Sequence, residues 1–204
     1  RNESSPILEN PFFHRGPIQD GQYFFGRSQA TRRALQMLRN GQCVSIVGPR
    51  RIGKSSFLHH LRDPSVQKEH GLKKQYLFVF IDCQGLGDVD KPQFYQWLWK
   101  GVRMTLAERG ETDGWTESTH NFREFFEAMY TVRDKGYRPA LFLDEFDAVA
   151  VNPNLDQDLF SDLRSLVPTL VYVTASKDSL LNLTYTDSSV LSSPFFNIFA
   201  ELPL

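Results

Sequence analysis

Cysteine is scarce, with Cys43 and Cys83 the only two among 204 residues. Each sits in an apolar, strand-like run, so buried free thiols in a reducing cytosol are expected rather than a disulfide. No apolar run reaches the roughly 20 residues that cross a bilayer, and no signal peptide opens the chain, which argues against a membrane partner. Neither sign of charge is in excess. The formal net charge is −1, so no global field advertises nucleic acid or an anionic membrane, and a nucleic-acid partner is not indicated. The basic pairs Arg32-Arg33, Arg50-Arg51 and Lys73-Lys74 are short enough to be solvated faces. Five histidines show no metal spacing, and the adjacent His59 and His60 would point in different directions on a helix. Repeats and low-complexity segments are missing as well. What remains is an ordinary composition, 41% hydrophobic and 23% charged, at a length that suits one domain with a full core. The first residue is Arg rather than Met, as expected of a piece of a longer protein.

Against this plain background one stretch stands out, Gly48-Pro49-Arg50-Arg51-Ile52-Gly53-Lys54-Ser55. It fits G-x-x-x-x-G-K-[ST] without a mismatch. Residues 43–47 before it read as a short buried strand, and residues 55–61 after it as a helix. A glycine-rich turn from strand to helix gathers backbone N–H groups around the positive end of a helix, which makes a cradle for a chain of phosphates. Residues 48–56 would line it. Lys54 would reach the terminal phosphates, and the Ser55 hydroxyl would ligate Mg²⁺.

The rest of the chain reads as alternating helices and strands. Residues 1–25 interleave Pro and Gly with Phe12, Phe13, Tyr23, Phe24 and Phe25, which predicts an extended arm packed on the domain. Helical spacing covers 28–39, with Ser28 as N-cap and Asn40-Gly41 as the stop. Pro64 ends the helix after the loop. Residues 75–82 form a near-continuous apolar run, the mark of a strand buried on both faces. Helices are predicted over 91–109, with Phe94, Trp97, Leu98, Val102 and Leu106 on one side, and over 119–134, with Phe122, Phe125, Phe126, Met129 and Val132. A strand over 139–147, a helix over 155–166, a strand over 169–176 and a last strand over 196–202 follow. The pattern predicts an α/β fold, a parallel sheet of about five strands with helices on both faces.

The second informative stretch is Leu141-Phe142-Leu143-Asp144-Glu145. Acids at the carboxyl end of a buried strand sit where open α/β sheets bind ligands. Asp144 would hold the Mg²⁺ that bridges the phosphates, and Glu145 would orient and deprotonate a water. At the end of the 169–176 strand, Thr174 or Ser176 is placed to sense a terminal phosphate. Lys177-Asp178 lacks the asparagine of the guanine-reading N-K-x-D pattern.

Three blocks carry a resemblance to a known family: residues 10–18 (Asn-Pro-Phe-Phe-His-Arg-Gly-Pro-Ile), 23–27 (Tyr-Phe-Phe-Gly-Arg) and 44–56 around the loop. With residues 193–199 they extend over nearly the whole chain. Together they resemble the bacterial AAA-like domains of the STAND class, signal-transducing P-loop ATPases related to the NLR immune switches and, further off, to origin-recognition initiators. A strand between the two motifs and the Asp-Glu pair separate this catalytic-glutamate branch from kinases and GTPases. The resemblance implies ATP or ADP as ligand, with Mg²⁺. It implies that the arm (1–27) with its Phe-Gly-Arg box folds over the adenine, implicating Ile18, Phe25, Gly26 and Arg27, and that 28–204 is the ATPase core. Lys177 stands where the family often carries an arginine on the γ-phosphate, and lysine lacks that fork. Where the family usually has an acid after the box, this chain has Ser28. The lid, winged-helix, effector and sensor domains of the family are not in this sequence.

The expectation is therefore a cytoplasmic Mg-ATP switch of low turnover that associates with itself, with Arg164 as the candidate group donated by a neighbour. Two alternatives stay open at this point: a DNA-handling initiator or transposition helper, and a nucleotide-locked scaffold without meaningful hydrolysis.

Overall fold

Short runs that are apolar on both faces are satisfied only inside a parallel sheet covered from both sides. The computed structural model, which describes residues 26–72, 74–183 and 194–204, gathers five such runs into one sheet. They are β1 (Cys43–Val47), β2 (Tyr76–Asp82), β3 (Arg138–Asp144), β4 (Val171–Ser176) and β5 (Phe199–Pro203). The spatial order is β2-β3-β4-β1-β5, and every pairing is parallel. Helix α1 (Ser28–Arg39) precedes β1, and α2 (Lys54–Arg62) and α3 (Pro64–Glu69) link it to β2. Between β2 and β3 run α4 (Lys91–Ala107) and α5 (Phe122–Asp134). Between β3 and β4 run α6 (Asp147–Ala150) and α7 (Gln157–Ser165), and α8 (Leu180–Leu183) follows β4.

The sheet separates two apolar clusters. On one face Leu35, Leu38, Phe57 and Leu61 of α1 and α2 pack on Val44, Ile46, Phe142 and Val173. On the other, Trp99, Phe125, Met129 and Leu163 pack on Val79, Leu141, Leu143 and Tyr172. Strand alternation therefore assigns each strand residue to a face. Both cysteines are buried free thiols, as their apolar runs predict. No helix among the described residues is long and apolar enough to cross a membrane.

Several boundaries differ from the sequence reading, each for a local reason. Pro64 ends α2 but also opens α3: it occupies the first turn, where a missing N–H costs nothing, and the Asp63 carboxylate accepts the Ser65 N–H at 2.8 Å. Ser28 lies inside α1. Arg27 takes the N-cap, its carbonyl accepting the Thr31 N–H and hydroxyl at 2.9 and 3.0 Å. Helix α4 starts as predicted, fixed by an Asp90–Gln93 capping box. Helix α5 starts at Phe122 because Asn121 caps it. β3 stops at Asp144, so Glu145, Phe146 and Asp147 leave the strand. Residues 194–198 form a 3₁₀ turn, and β5 begins only at Phe199. Trp97 is 45% exposed, whereas Tyr95 and Trp99 are buried in the core.

Helix α4 lies close on the edge strand because Gly101 lets it. A Cβ there would meet Ile81 Cγ1 at 3.1 Å and Val79 Cγ1 at 3.2 Å. Gly101→Val is expected to lower stability by about 1–3 kcal/mol through overpacking, read as a lower urea midpoint with an unchanged slope.

Candidate nucleotide-binding site

All five strands point their carboxyl ends to the same edge, and the loop of residues 48–53 sits there, between β1 and α2. Gly48 is packed so tightly that a Cβ would lie 3.1 Å from Ile52 Cγ2 and 3.2 Å from the Leu204 carbonyl oxygen. Its N–H donates to the Ser176 carbonyl of β4 at 3.3 Å. Gly53, the N-cap of α2, has φ +97, and Arg51 has φ +66. A left-handed arginine costs roughly 1–2 kcal/mol in backbone strain. The turn it makes leads the chain from β1 into α2. Arg50 and Arg51 are both exposed at the loop's rim.

Lys54 is 6% exposed and lies across this loop, donating to the Gly48 carbonyl at 2.8 Å and the Pro49 carbonyl at 3.3 Å. Its ammonium thus closes the hollow at the positive end of α2, a nine-residue helix. One residue on, the Ser55 hydroxyl lies near the Asp144 carboxylate and favours its charged form, and Ser56 is buried. The two sequence motifs therefore meet at one point. Asp144 closes β3 on the α2 face of the sheet, the face that carries Phe142. It is only 5% exposed and also accepts the Glu145 N–H at 3.0 Å. Burial pushes its carboxyl above the usual range, and nearby Asp82 adds to this. The Ser55 hydroxyl, the Glu145 N–H and Lys54 act in the opposite direction without cancelling it.

A hydroxyl and a carboxylate near each other, beside a lysine and a helix N-terminus, are hard oxygen donors of the kind Mg²⁺ takes in phosphate sites. Ser55 and Asp144 would hold the ion, and the loop amides with Lys54 would hold phosphate. Among the described residues there is no group of three or more His, Cys, Asp or Glu side chains arranged around a metal, so a cation here would depend on phosphate or water for its remaining ligands.

The sequence reading missed Asp82. It pairs in register with Asp144 at the end of β2 and is exposed, with Gln84 N–H donating to it at 2.9 Å. The signal was the same as for Asp144, an acid ending a buried apolar run. It missed Asp147 as well, whose carboxylate accepts the Lys177 N–H at 3.0 and 3.1 Å. Glu145 is half-buried and left-handed, with φ +50.

Other expected residues lie where the sequence could not place them. Thr174 is fully buried and level with Ser45 of β1, two residues short of the strand end, on the face opposite α2 that carries Tyr172. Neither hydroxyl has a hydrogen-bond partner among the described residues. Ser176, at the strand end, donates to the Asp178 carbonyl at 2.7 Å. The Lys177 side chain is 61% exposed and 3.6 Å from the Asp178 carboxylate. Arg27 is at the loop, its guanidinium donating to the Ile52 carbonyl at 2.6 Å, and Gly26 precedes it at φ +85. Ile18 and Phe25, with the rest of the arm and Ser193, lie outside the described residues. Arg164 is exposed in the last turn of α7, which leads to the amino-terminal edge of the sheet, away from the loop. At that far edge a cavity of about 420 Å³ is lined by Arg39, Arg133 and Arg138. Arg39 and Arg133 lie in the last turns of α1 and α5, where a cation offsets the helix C-terminus, and the cavity does not touch the loop.

A parallel sheet with its strand-to-helix phosphate loop beside β4 and an acid closing β3 defines a P-loop NTPase of the α/β class. Residues 39–204 match the family described as Novel STAND NTPase 2, and the chain belongs to it. Among solved structures it is similar to a Walker-type ATPase of Pyrococcus abyssi, at 16% identity and TM-score 0.65, covering 94% of this chain and 56% of that one. It is also similar to the ADP form of the Aeropyrum pernix ORC2 protein, at 11% identity and TM-score 0.66, covering 95% and 51%. Domain III of the Thermotoga maritima replication initiation protein DnaA is similar at 17% identity and TM-score 0.51, covering 93% and 68%. The chain spans about half the length of the first two. Among curated protein sequences none matches it.

Two outcomes test this description. The folded pKa of Asp144 lies above its unfolded value, so the native state holds that proton more tightly. Its charge therefore costs stability above the folded pKa, and the cost is relieved as pH falls through the window between the two values. Asp144→Asn is expected to melt at a higher temperature than the parent at neutral pH and above, with the difference shrinking as pH falls towards the ordinary carboxylate range. At Arg51, Arg51→Gly is expected to exceed Arg51→Val in stability by about 1–2 kcal/mol in urea, because valine tolerates the left-handed region poorly.

Proposed function

We propose that this domain binds Mg-ATP and hydrolyses it slowly, as the nucleotide switch of a STAND-type signalling protein. The observation that carries the reading is that Lys54 lies buried across the phosphate loop, 2.8 Å from the Gly48 carbonyl, with the buried Asp144 of β3 near enough to feel its charge and the Ser55 hydroxyl. In this reading residues 1–27 form the arm over the adenine, with Ile18, Phe25, Gly26 and Arg27 around the base, and residues 28–204 form the ATPase core. Arg27 has a second task in it. By holding the Ile52 carbonyl it ties the start of α1 to the loop.

Bound Mg²⁺ would neutralise charge on the terminal phosphates as the bond to the γ-phosphate breaks. The chain's own groups do the rest. Lys54 leaves the Gly48 and Pro49 carbonyls to take phosphate oxygens, and the loop amides of residues 50–55 stabilise charge on the bridging oxygens. Ser55 and Asp144 hold the ion from the loop and the strand. Glu145 orients a water and takes its proton. Lys177 sits at the strand end nearest the γ-phosphate, and Thr174 acts from beneath, through the strand, rather than by contact. Arg164 lies at the wrong edge to serve its own site, so it acts only in a neighbour's, which makes self-association part of the reading. A cytoplasmic location and linked effector and sensor domains complete it.

The test is nucleotide released from the purified chain, followed by phosphate release from Mg-ATP. Lys54→Ala is expected to weaken nucleotide binding at least about tenfold, and Glu145→Gln to lower turnover roughly 10²-fold or more with affinity retained. Tight binding with turnover indifferent to Glu145→Gln would instead make the domain a nucleotide-locked scaffold. Affinity unchanged in Lys54→Ala would remove the loop assignment altogether.

A further inference from the structure

Strict alternation along β3 would send the side chain of residue 145 into the apolar cluster under the sheet and that of residue 146 to the face of Asp144. The structure does the reverse for Phe146. It is fully buried in the opposite cluster, the one that holds Leu141 and Leu143, with its ring 6.5 Å from that of Phe195. The left-handed Glu145, at φ +50, makes the reversal, and Glu145 is left half-buried instead of inside the cluster.

A non-glycine residue keeps such a backbone only where its surroundings over-determine it. Three bonds do so here. The Glu145 N–H is held by Asp144 Oδ1 at 3.0 Å, and the Phe146 N–H reaches the Ala175 carbonyl of β4 at 2.9 Å. The Lys177 N–H lies between both oxygens of Asp147, at 3.0 and 3.1 Å. The first is local to the turn. The other two fasten the turn after β3 to the end of β4, and Ser176 between them accepts the N–H of Gly48, the first residue of the phosphate loop.

We propose that Asp147 is a positioning residue: by clamping the Lys177 N–H it locks the turn after β3 against β4 and thereby fixes Glu145 relative to the phosphate loop. This rests on the reading of Glu145 as the group that orients water. Asp147 touches neither nucleotide nor water in this scheme. It acts through the backbone of residues 145–147, and the path from turn to loop runs Asp147, Lys177, Ser176, Gly48.

The experiment compares Asp147→Ala and Asp147→Asn, alone and combined with Glu145→Gln, in the same chain. Turnover, nucleotide affinity by a fluorescent ATP analogue, and hydrogen exchange at the Phe146 and Lys177 amides are read together. In Asp147→Ala both amides are expected to exchange about tenfold faster or more, since the bond that closes the turn is gone. Turnover should fall roughly 10- to 100-fold with affinity within about twofold, the pattern of a displaced catalytic group. Asp147→Asn keeps an acceptor for the Lys177 N–H and is expected to stay near the parent in all three readings. Added to Glu145→Gln, Asp147→Ala should cost nothing further, because there is no catalytic carboxylate left to misplace.

Unchanged amide exchange in Asp147→Ala would overturn the clamp. A loss of turnover that multiplies with that of Glu145→Gln would overturn its action through Glu145, as would a loss that tracks a fall in nucleotide affinity. Should Asp147→Ala fail to fold, a parent-like Asp147→Asn with unchanged exchange supports the clamp, and an Asp147→Asn that loses turnover while holding both amides overturns it. If Glu145→Gln alone leaves turnover intact, the hydrolytic reading fails, and faster exchange then identifies Asp147 as a purely structural clamp, which overturns its catalytic purpose.

Discussion

The Asp144 carboxylate is held almost out of water at the end of a central strand, where an unpartnered charge would be untenable. It can stay because the Ser55 hydroxyl, the Glu145 N–H and the nearby Lys54 ammonium face it. Each of these partners comes from a segment with a fixed place. Ser55 and Lys54 open α2, and α2 lies where it does because Phe57 and Leu61 are buried against the sheet. The geometry of the acid and the packing of the helix are one constraint seen from two sides.

Strand β4 supplies the second half of that constraint. It stands between β1, which leads into the phosphate loop, and β3, which ends in the acid. Three backbone N–H groups converge on its last residues or are given up by them: Gly48 and Phe146 donate to it, and Lys177 donates to Asp147. The distance between loop and acid is therefore set by the width of one strand and by bonds at its tip. Sliding β4 along the sheet would break all three.

Much of this was legible in the residues. The loop motif announced itself, and each strand appeared as a short apolar run because burial on both faces leaves no room for alternation. Asp144 was legible because a carboxylate that closes a buried strand needs donors or a cation waiting for it, and the loop motif supplies both. What stayed hidden depends on which strand lies beside which. Asp82 looked like a strand terminus until register put it opposite Asp144. Thr174 looked like a group at the nucleotide until its register with Ser45 placed it inside the sheet. The left-handed backbone of Glu145 leaves no mark at all, since glutamate is not the residue such a position usually takes. Helix α3 was lost because proline reads as a stop when only what precedes it is considered. Trp97 and Trp99 differ by two positions on one helix, and only the neighbours decide which is covered.

The two cysteines give the sheet a built-in clock. Cys43 begins β1, accepts the Tyr172 N–H of β4 at 3.4 Å, and has its thiol pushed by burial to about 11. Cys83 follows β2 on the far side, fully buried, and its thiol is pushed well above the usual thiol range by burial and by the charges of Asp82 and Asp144. Neither sulfur is available to an alkylating reagent in the closed molecule, because only a solvated thiolate reacts. The rate at which each is capped therefore measures how often its own seam opens, β1 from β4 in one case and the margin of β2 in the other. A chain with so few thiols reports on two separate joints without any label being engineered into it.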